Sequence, residues 1–324
     1  ENKHIDWDSV YTAYRKKLQG EMTILEYYNI CADMLMELRD GHVNLVAPFN
    51  TSYYRKWWSD YPQDFNLRTL QEYYLKFDYL STSGISYKMM QDSIGYMYYP
   101  SFSYPIGELN LDYILAYLYK CKGLIIDIRD NGGGALTNIK TIVSRLIDKK
   151  TLGGYIQHKT GPGHNDFSEP YAVEYESAPD YRVHYFGPVI VLTNRSCFSA
   201  ANDFTAVMKS FSSALSNFSL PRLTGSTSVI GARTGGGGGL PFSSELPNGW
   251  AVRFSACPLL DPEGKVTEEG IDPTPGGEVH ASDEQLARGE DRILDFALLV
   301  LKHLQEEGNE PKEIRKTMRA LNPD

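Results

Sequence analysis

One short stretch of the sequence places a serine where acyl-transfer chemistry could occur. In VLTNRSCFSAANDF (191–204), an apolar, strand-like run ends at Leu192 and a helix-like pattern begins near Ser199. The first amide groups of a helix have no partner inside the helix and create a partial positive charge. The Ser199 hydroxyl is therefore either an N-cap of that helix or a nucleophile beside an oxyanion site.

A second strand-to-helix junction carries a run of three glycines. In IDIRDNGGGAL (126–136), Gly132, Gly133 and Gly134 could let a ligand approach bare backbone and expose N–H groups at a helix start. The same glycines also suit a tight turn that needs positive φ. Functional groups of open α/β sheets gather at the carboxyl ends of strands. The two junctions together could therefore aim a serine hydroxyl and an amide donor at one substrate carbonyl.

Hydrophobic patterning predicts an α/β fold around these junctions. Apolar runs predict strands at 93–103, 123–130, 188–194, 227–232 and 250–260. Amphipathic patterns predict helices at 109–120, 135–147 and 291–305, besides the helix that starts near Ser199. Strands that alternate with helices indicate a core of strand–strand–helix or strand–helix units.

The N-terminal region also contains a predicted helix, at 23–41. Thr23 and Glu26 have the spacing of a capping box, and Gly41 is well placed to end the helix. His42 then follows just beyond the helix end. In the weakly patterned region after it, the aromatic and charged stretch SYYRKWWSDYPQDF (52–65) is expected to pack on the core.

Composition and charge argue against several classes of function. The 324 residues are 42% hydrophobic and 23% charged, which is ordinary for a globular protein. The net charge of −9 argues against a nucleic-acid partner and against binding to an anionic membrane surface. No apolar run approaches the ~20 residues of a membrane span. Four scattered cysteines without a CxxC pair suggest neither a zinc site nor a disulfide framework, and no metal is expected.

Four ordered motifs carry a resemblance to a known family. GLIIDIRDNGGGAL, VIVLTNRSCFSAANDF, SVIGARTGGGGGLPF and EEGIDPT resemble, in order and approximate spacing, the tail-specific or C-terminal-processing serine peptidases of family S41. By position, the resemblance implies Ser199 as the nucleophile. It implies Gly134 and Ala200 as the two oxyanion donors, with Gly133 beside the first.

The sequence departs from the family pattern at one catalytic position. Many members use a Ser/Lys dyad, with the lysine in a Gly-Lys-Gly turn, but here Gly237 occupies the lysine position within the run of glycines at 235–239. The base must therefore be another residue. We expect the glycine run to form a flexible rim in which Gly236 and Gly237, together with Gly133, contact a substrate peptide. The alternative is a merely mobile loop.

The tricorn-like branch of the family suggests a histidine as the base. ELRDGHVNL (37–45) resembles its Leu-x-Asp-Gly-His setting, which makes His42 the candidate general base. The unperturbed pKa of a histidine side chain, near ~6.5, suits proton transfer at neutral pH. The supporting carboxylate is expected just before the Gly-Ile-x-Pro motif, with Glu268 as first choice and Glu269 as second. The other histidines lie in polar loops or near the termini and are weaker candidates: His4, His158, His164, His184, His280 and His303.

The resemblance also implies the organisation of the chain. It predicts an N-terminal helical subdomain (1–47), a connecting segment (48–92), a peptidase core (93–305) and a C-terminal tail (306–324). The core is expected to be a crotonase/ClpP-like superhelix of strand–strand–helix units. No PDZ domain is expected, because only about fifty residues separate His42 from the strand at 93–103.

The sequence therefore favours a serine endopeptidase that forms an acyl-enzyme on Ser199. Its partners would be peptide or protein substrates, no cofactor is implied, and a homo-oligomer stays open. Family members are commonly exported, so a periplasmic or cell-envelope protein of bacterial type is expected, with its signal segment absent from this chain. The alternative is a non-catalytic carrier of an apolar ligand or peptide, similar to the retinoid-binding modules of the family. An acyl-CoA enzyme on the crotonase fold is a weaker third interpretation, because nothing in the sequence resembles its nucleotide site.

Overall fold

The computed structural model describes residues 5–163, 165–215 and 227–306, so His4, His164 and nearly all of the predicted tail lie outside the described residues. The helices within these ranges are α1 (Trp7–Arg15), α2 (Ile24–Met36), α3 (Lys56–Ser59), α4 (Leu67–Thr69), α5 (Glu108–Tyr117), α6 (Leu136–Val143), α7 (Ala200–Leu215), α8 (Asp283–Ala287) and α9 (Arg292–Glu306). A π-helical turn (Leu70–Leu75) continues α4, and a 3₁₀ turn spans Gln91–Ser93.

Two sheets organise the strands. The strands are β1 (Asn44–Ala47), β2 (Asn50–Thr51), β3 (Leu80–Thr82), β4 (Ile85–Met89), β5 (Ile94–Tyr98), β6 (Gly123–Asp127), β7 (Thr151–Ile156), β8 (Tyr171–Tyr175), β9 (Val189–Thr193), β10 (Thr227–Gly231), β11 (Gly239–Glu245) and β12 (Ala251–Leu260). The main sheet has the order β10-β9-β6-β5-β4-β3, and the second sheet has the order β2-β1-β12-β7-β8 with β11 also paired to β12.

The main sheet is parallel from β10 to β5 and antiparallel from β5 to β3. β5, β6 and β9 are buried along their whole length, as expected for parallel strands covered on both faces. Helices α5, α6 and α7 pack on one face through residues such as Ile114, Ile139 and Phe204. Helix α9 packs on the other face through residues such as Leu294 and Ala297. The sheet is thereby a rigid layer from whose strand ends the site loops emerge.

The second sheet is antiparallel and brings distant parts of the chain together. Asn44 of β1 lies opposite Arg253 of β12, so the N-terminal region joins the C-terminal half through this pairing. Helix α2 packs on β1 through Tyr28 and Leu35, and Trp250 completes that cluster. This sheet therefore fixes the segment just after His42 against β12.

The α/β class predicted from the sequence is confirmed, and each predicted core strand coincides with a strand of the structure. Segment 48–92 supplies β3 and β4 of the main sheet, in addition to α3 and α4. Within the described residues, no helix combines the length and the apolar character needed to cross a membrane.

Candidate active site

The two strand-to-helix junctions open into one cavity of about 580 Å³ between the sheets. The predicted residues that line this site cavity are His42, Gly133, Gly134, Ser199, Ala200 and Gly237. Of the described histidines, His42 alone lines it. Gly236 and Glu268 lie next to it rather than in its wall, as described below.

Ser199 has a backbone conformation that an ordinary N-cap does not use. Its φ is +56°, in the left-handed region, whereas an N-cap residue has extended backbone. The conformation costs roughly 1–2 kcal/mol for a residue with a side chain. It is held by the Ser199 N–H, which donates to the Gly236 carbonyl at 2.8 Å, and by the Ser199 carbonyl, which accepts from Asp203 at 3.0 Å. Among the described residues, no first-turn amide donates to the Ser199 hydroxyl, so the hydroxyl is not used as a cap.

The glycine junction packs directly against Ser199. The Gly133 N–H donates to Asn131 Oδ1 at 2.9 Å. A Cβ at Gly133 would lie 2.8 Å from the Cβ of Ser199 and 2.9 Å from the Ala200 nitrogen, so only glycine permits this approach. Gly134 has φ +144° and bridges to Phe102. The two junctions are therefore in backbone contact, as the acyl-transfer hypothesis requires.

Two backbone donors are available at this contact. The N–H groups of Gly133, Ser199 and Ala201 are used within the fold. Within the part of the chain that the structure describes, the N–H groups of Gly134 and Ala200 donate to no acceptor. Both residues line the site cavity, and Ala200 is the first residue of α7, where the helix dipole adds partial positive charge. This pair is suited to hold an oxyanion.

A buried ion network supports the strand end that leads into the glycine junction. Arg129 contacts Asp127 at 2.6 Å and Asp291 at 2.8 Å, and all three side chains are buried. Burial opposes the guanidinium charge, but the two carboxylates outweigh it and hold the pKa of Arg129 well above its ordinary value. The Tyr96 hydroxyl also donates to Asp127, at 2.7 Å. The backbone that enters the glycine junction is thus fixed by charge-assisted bonds.

His42 is buried and oriented by its neighbours. It is 4% exposed, its N–H donates to Asp40 Oδ1 at 2.7 Å, and its ring lies 4.7 Å from the Phe198 ring. Its Nδ1 lies 3.4 Å from Ser255 Oγ, on β12. Ser255 is a site residue that the sequence reasoning missed. A lone serine in a strand gives no signal of such a role.

The expected ending of the N-terminal helix at Gly41 is wrong. Helix α2 has the predicted capping box, but it ends at Met36, and Arg39 rather than Gly41 takes the left-handed conformation. A Cβ at Gly41 would lie 2.6 Å from Trp57 Nε1 and 2.8 Å from Phe198. Gly41 is thus required for close packing beside His42 and not for capping.

Glu268 and Glu269 differ in their surroundings. Both residues line a neighbouring cavity together with Gly41, Phe198 and Gly237, and Glu268 is partly buried there. Glu269 is exposed, and its carbonyl accepts from Arg233. The greater burial of Glu268 favours it over Glu269 as the supporting carboxylate, which stays a prediction.

The glycine run at 235–239 is a packed loop rather than the expected flexible rim. All five glycines are buried. The Gly237 N–H donates to the Glu268 carbonyl at 3.0 Å, and Gly235 donates to the Cys197 carbonyl at 2.7 Å. A Cβ at Gly236 would lie 1.9 Å from the Glu268 carbonyl. Glycine is required in this run because its backbone packs directly against the backbone of the segments around Cys197 and Glu268, and not because the loop must move.

Aromatic side chains form one wall of the site cavity. Trp57 stacks on Phe198 with ring centroids 4.2 Å apart, and Trp58, Tyr53 and Tyr54 continue the wall. The sequence reasoning expected this aromatic stretch to pack on the core. Trp57 does pack on a residue next to Ser199, but the stretch also faces the cavity. Among the described residues, no group of three or more histidine, cysteine or carboxylate side chains could hold a metal ion.

Comparison with known proteins identifies related sequences and folds. The sequence model of peptidase family S41 matches residues 93–275, more than half of the chain. A candidate peptidase from Parabacteroides merdae ATCC 43184 is 45% identical over 92% of this chain and 90% of its own, with a TM-score of 0.82. Mature CPAF in complex with lactacystin is 15% identical over 74% of this chain and 58% of its own, with a TM-score of 0.53. The photosystem II D1 C-terminal processing protease is 14% identical over 85% of this chain and 87% of its own, with a TM-score of 0.50. The last two likenesses concern the fold alone.

Proposed function

Because the chain belongs to peptidase family S41, we propose that it is a serine endopeptidase in which Ser199 is the nucleophile and His42 the general base. The observation that carries the proposal is the convergence of Ser199, His42 and two unused backbone donors on one cavity. Family membership supports peptide or protein substrates. Glu268 is the proposed supporting carboxylate.

The proposed reaction has two steps. Ser199 Oγ attacks the peptide carbonyl carbon while its proton passes to His42, and the amides of Gly134 and Ala200 stabilise the resulting oxyanion. The C–N bond then breaks as His42 returns the proton to the leaving amine, which leaves an ester on Ser199. In the second step His42 takes a proton from water while the water oxygen attacks the acyl carbon. The bond from that carbon to Ser199 Oγ then breaks, the carboxylic acid product leaves, and His42 returns the proton to Ser199 Oγ.

The strained serine backbone supports this assignment. Residues with sparsely populated φ values persist only where the surrounding structure determines them, and they cluster at functional sites. The Gly236 carbonyl and the start of α7 determine the conformation of Ser199 here. The side chain is left to face the cavity and is not consumed by helix capping.

Labelling with a fluorophosphonate probe tests the nucleophile directly. We expect the probe to modify Ser199, as located by peptide mapping, and expect Ser199→Ala to abolish labelling. If Ser199 and His42 act as one unit, either change to alanine should lower turnover about 10⁴- to 10⁶-fold, and the double variant little more.

The carrier of an apolar ligand or peptide is the second candidate, and the glycine at the family's lysine position favours it. It predicts no labelling, no cleavage across a broad peptide library, and ligand binding indifferent to Ser199 and His42. That combination would overturn the peptidase. Full activity in His42→Ala would keep the reaction but discard the base.

A further inference from the structure

A second cavity of about 220 Å³ lies beside the site cavity. Leu136 and Leu259 line both cavities, so the two spaces adjoin. An apolar cavity of about 150 Å³ can hold a benzene molecule, so this pocket has room for one large side chain.

Asp203 lies in the wall of this pocket, one helical turn beyond Ser199. Its N–H donates to the Ser199 carbonyl at 3.0 Å. Within the described ranges, the Asp203 carboxylate accepts no hydrogen bond and forms no ion pair. Burial raises the pKa of Asp203 to about 7, because the charged form loses water and gains no partner in return.

The rest of the pocket wall is mostly apolar. Its apolar members are Leu136, Ile156, Val173, Leu259 and Leu260. The other ionisable side chains that face it are Lys140, Tyr155, Glu174 and Tyr175. Lys140 and Glu174 are exposed, and Glu174 already pairs with Lys150 at 2.5 Å. Among the described residues of the pocket wall, Asp203 is thus the one carboxylate that has no positively charged partner, and it borders a mostly apolar pocket.

The pocket adjoins both elements that carry the proposed oxyanion donors. Leu136 follows Gly134 by two residues, and Asp203 follows Ala200 by three. The carbonyl that these amides would hold belongs to the residue on the acyl side of the cleaved bond. The side chain of that residue branches from the Cα atom bonded directly to the carbonyl carbon, so of the substrate side chains it starts nearest to the carbonyl that these amides would hold.

We propose that this pocket binds the side chain on the acyl side of the cleaved bond and selects lysine or arginine. The proposal rests on the proposed peptidase function. A basic side chain has an apolar stem that matches the leucine and isoleucine walls, and its cation supplies the partner that Asp203 lacks.

Two matched fluorogenic peptides test the proposal. Their flanking sequence is taken from a site that the wild-type protein cleaves in denatured casein, and they differ only in lysine or norleucine before the cleaved bond. Norleucine keeps the stem and removes the ammonium group. We expect the wild-type kcat/KM to favour lysine by roughly tenfold to hundredfold, the range for a hydrogen bond to a charged group. Asp203→Asn should bring the ratio close to one, mainly by slowing cleavage after lysine.

Two controls separate specificity from catalysis and folding. Asp295→Asn changes a carboxylate on α9, the helix that packs on the opposite face of the main sheet, and it should keep the wild-type ratio. Asp295 accepts a hydrogen bond from Tyr74 at 2.8 Å. Fluorophosphonate labelling of Ser199 in Asp203→Asn should proceed at the wild-type rate. A wild-type ratio near one, or an unchanged ratio in Asp203→Asn, would overturn the pocket assignment while labelling and cleavage still support the peptidase. Absence of both labelling and cleavage in the wild type would instead reject the peptidase itself, and the pocket assignment with it.

Discussion

Replacing Gly134 with alanine gives a sharp test of the proposed oxyanion site. A Cβ at this position would lie 2.2 Å from the Phe102 carbonyl carbon and 2.2 Å from the Ser103 nitrogen. Both atoms belong to the backbone, so no side-chain rotation can relieve the contact. The φ of +144° is also unfavourable for alanine. The loop must therefore shift by about an ångström before the contact reaches an ordinary van der Waals distance.

The expected loss of activity follows from that shift. A misplacement of about 1 Å can cost roughly 10²-fold, and removal of one oxyanion donor costs about 10²- to 10³-fold in kcat. We therefore expect Gly134→Ala to lower kcat by 10²- to 10³-fold, or about 2.7–4 kcal/mol of transition-state stabilisation. Stability should fall by about 1–3 kcal/mol, the usual cost of a strained backbone residue.

Gly132→Ala is the matched control for this experiment. A Cβ at Gly132 would meet no atom within 4 Å, and Gly132 does not have the positive φ of Gly133 and Gly134. We expect its stability to stay within about 0.5 kcal/mol of the wild type and its kcat within about threefold. Steady-state kinetics on a fluorogenic peptide and urea unfolding give both quantities. A folded Gly134→Ala protein with the wild-type kcat would refute the assignment of its amide to the oxyanion site.

Three further predictions concern other residues of the site. Ser255→Ala should lower kcat roughly twofold to tenfold through the loss of one hydrogen bond to His42, with Ser255→Thr restoring it and KM unchanged; an unchanged kcat and pH–rate profile would remove Ser255 from the mechanism. Glu268→Gln should lower kcat more than Glu269→Gln, and the reverse order in steady-state assays would exchange their roles. Asp203→Asn should stabilise the protein at pH 8 but not at pH 4. The pKa of Asp203 is about 7 in the folded state and near ~3.9 in the unfolded state, so the stability of the wild type falls as pH rises between these two values. Because Asp203 is partly exposed, we expect about 1–3 kcal/mol at pH 8, and urea unfolding that gives the same difference at both pH values would contradict the shifted pKa.

The main sheet could be predicted from the sequence because its strands are marked locally. β5, β6 and β9 are continuous apolar runs, since both faces of each strand are covered. The second sheet could not be predicted in the same way. β7 contains two glycines and β8 is mostly exposed, so neither has a strong strand pattern. Their pairing with each other and with β12 depends on contacts distant in sequence, which no local pattern records.

The residues of the candidate site also differ in whether a local sequence pattern marks them. Ser199 and the glycines at 132–134 could be singled out because each lies at a strand-to-helix junction with unusual residue types. His42 could be selected only through the resemblance to a family, since a single histidine after a helix carries little signal. Ser255 reaches His42 across 213 residues of sequence, and the contact exists only because β1 pairs with β12. The sequence therefore indicated the proposed nucleophile and oxyanion donors but not Ser255, the side chain that contacts the proposed base.

The packing around Phe198 leaves no room for a lysine at the position that the family uses for its catalytic lysine. Gly237, at the lysine position implied by the resemblance, has φ +75°, and a Cβ there would lie 2.4 Å from the Phe198 ring. That ring stacks on Trp57 at 4.2 Å and contacts the His42 ring at 4.7 Å. A lysine at 237 would need both a strained backbone and the displacement of the ring that packs against His42. Phe198 thus occupies the space that a lysine side chain at 237 would need, and it packs against His42, the base proposed instead. A lysine base at 237 and a histidine base at 42 held by Phe198 therefore exclude each other in this packing.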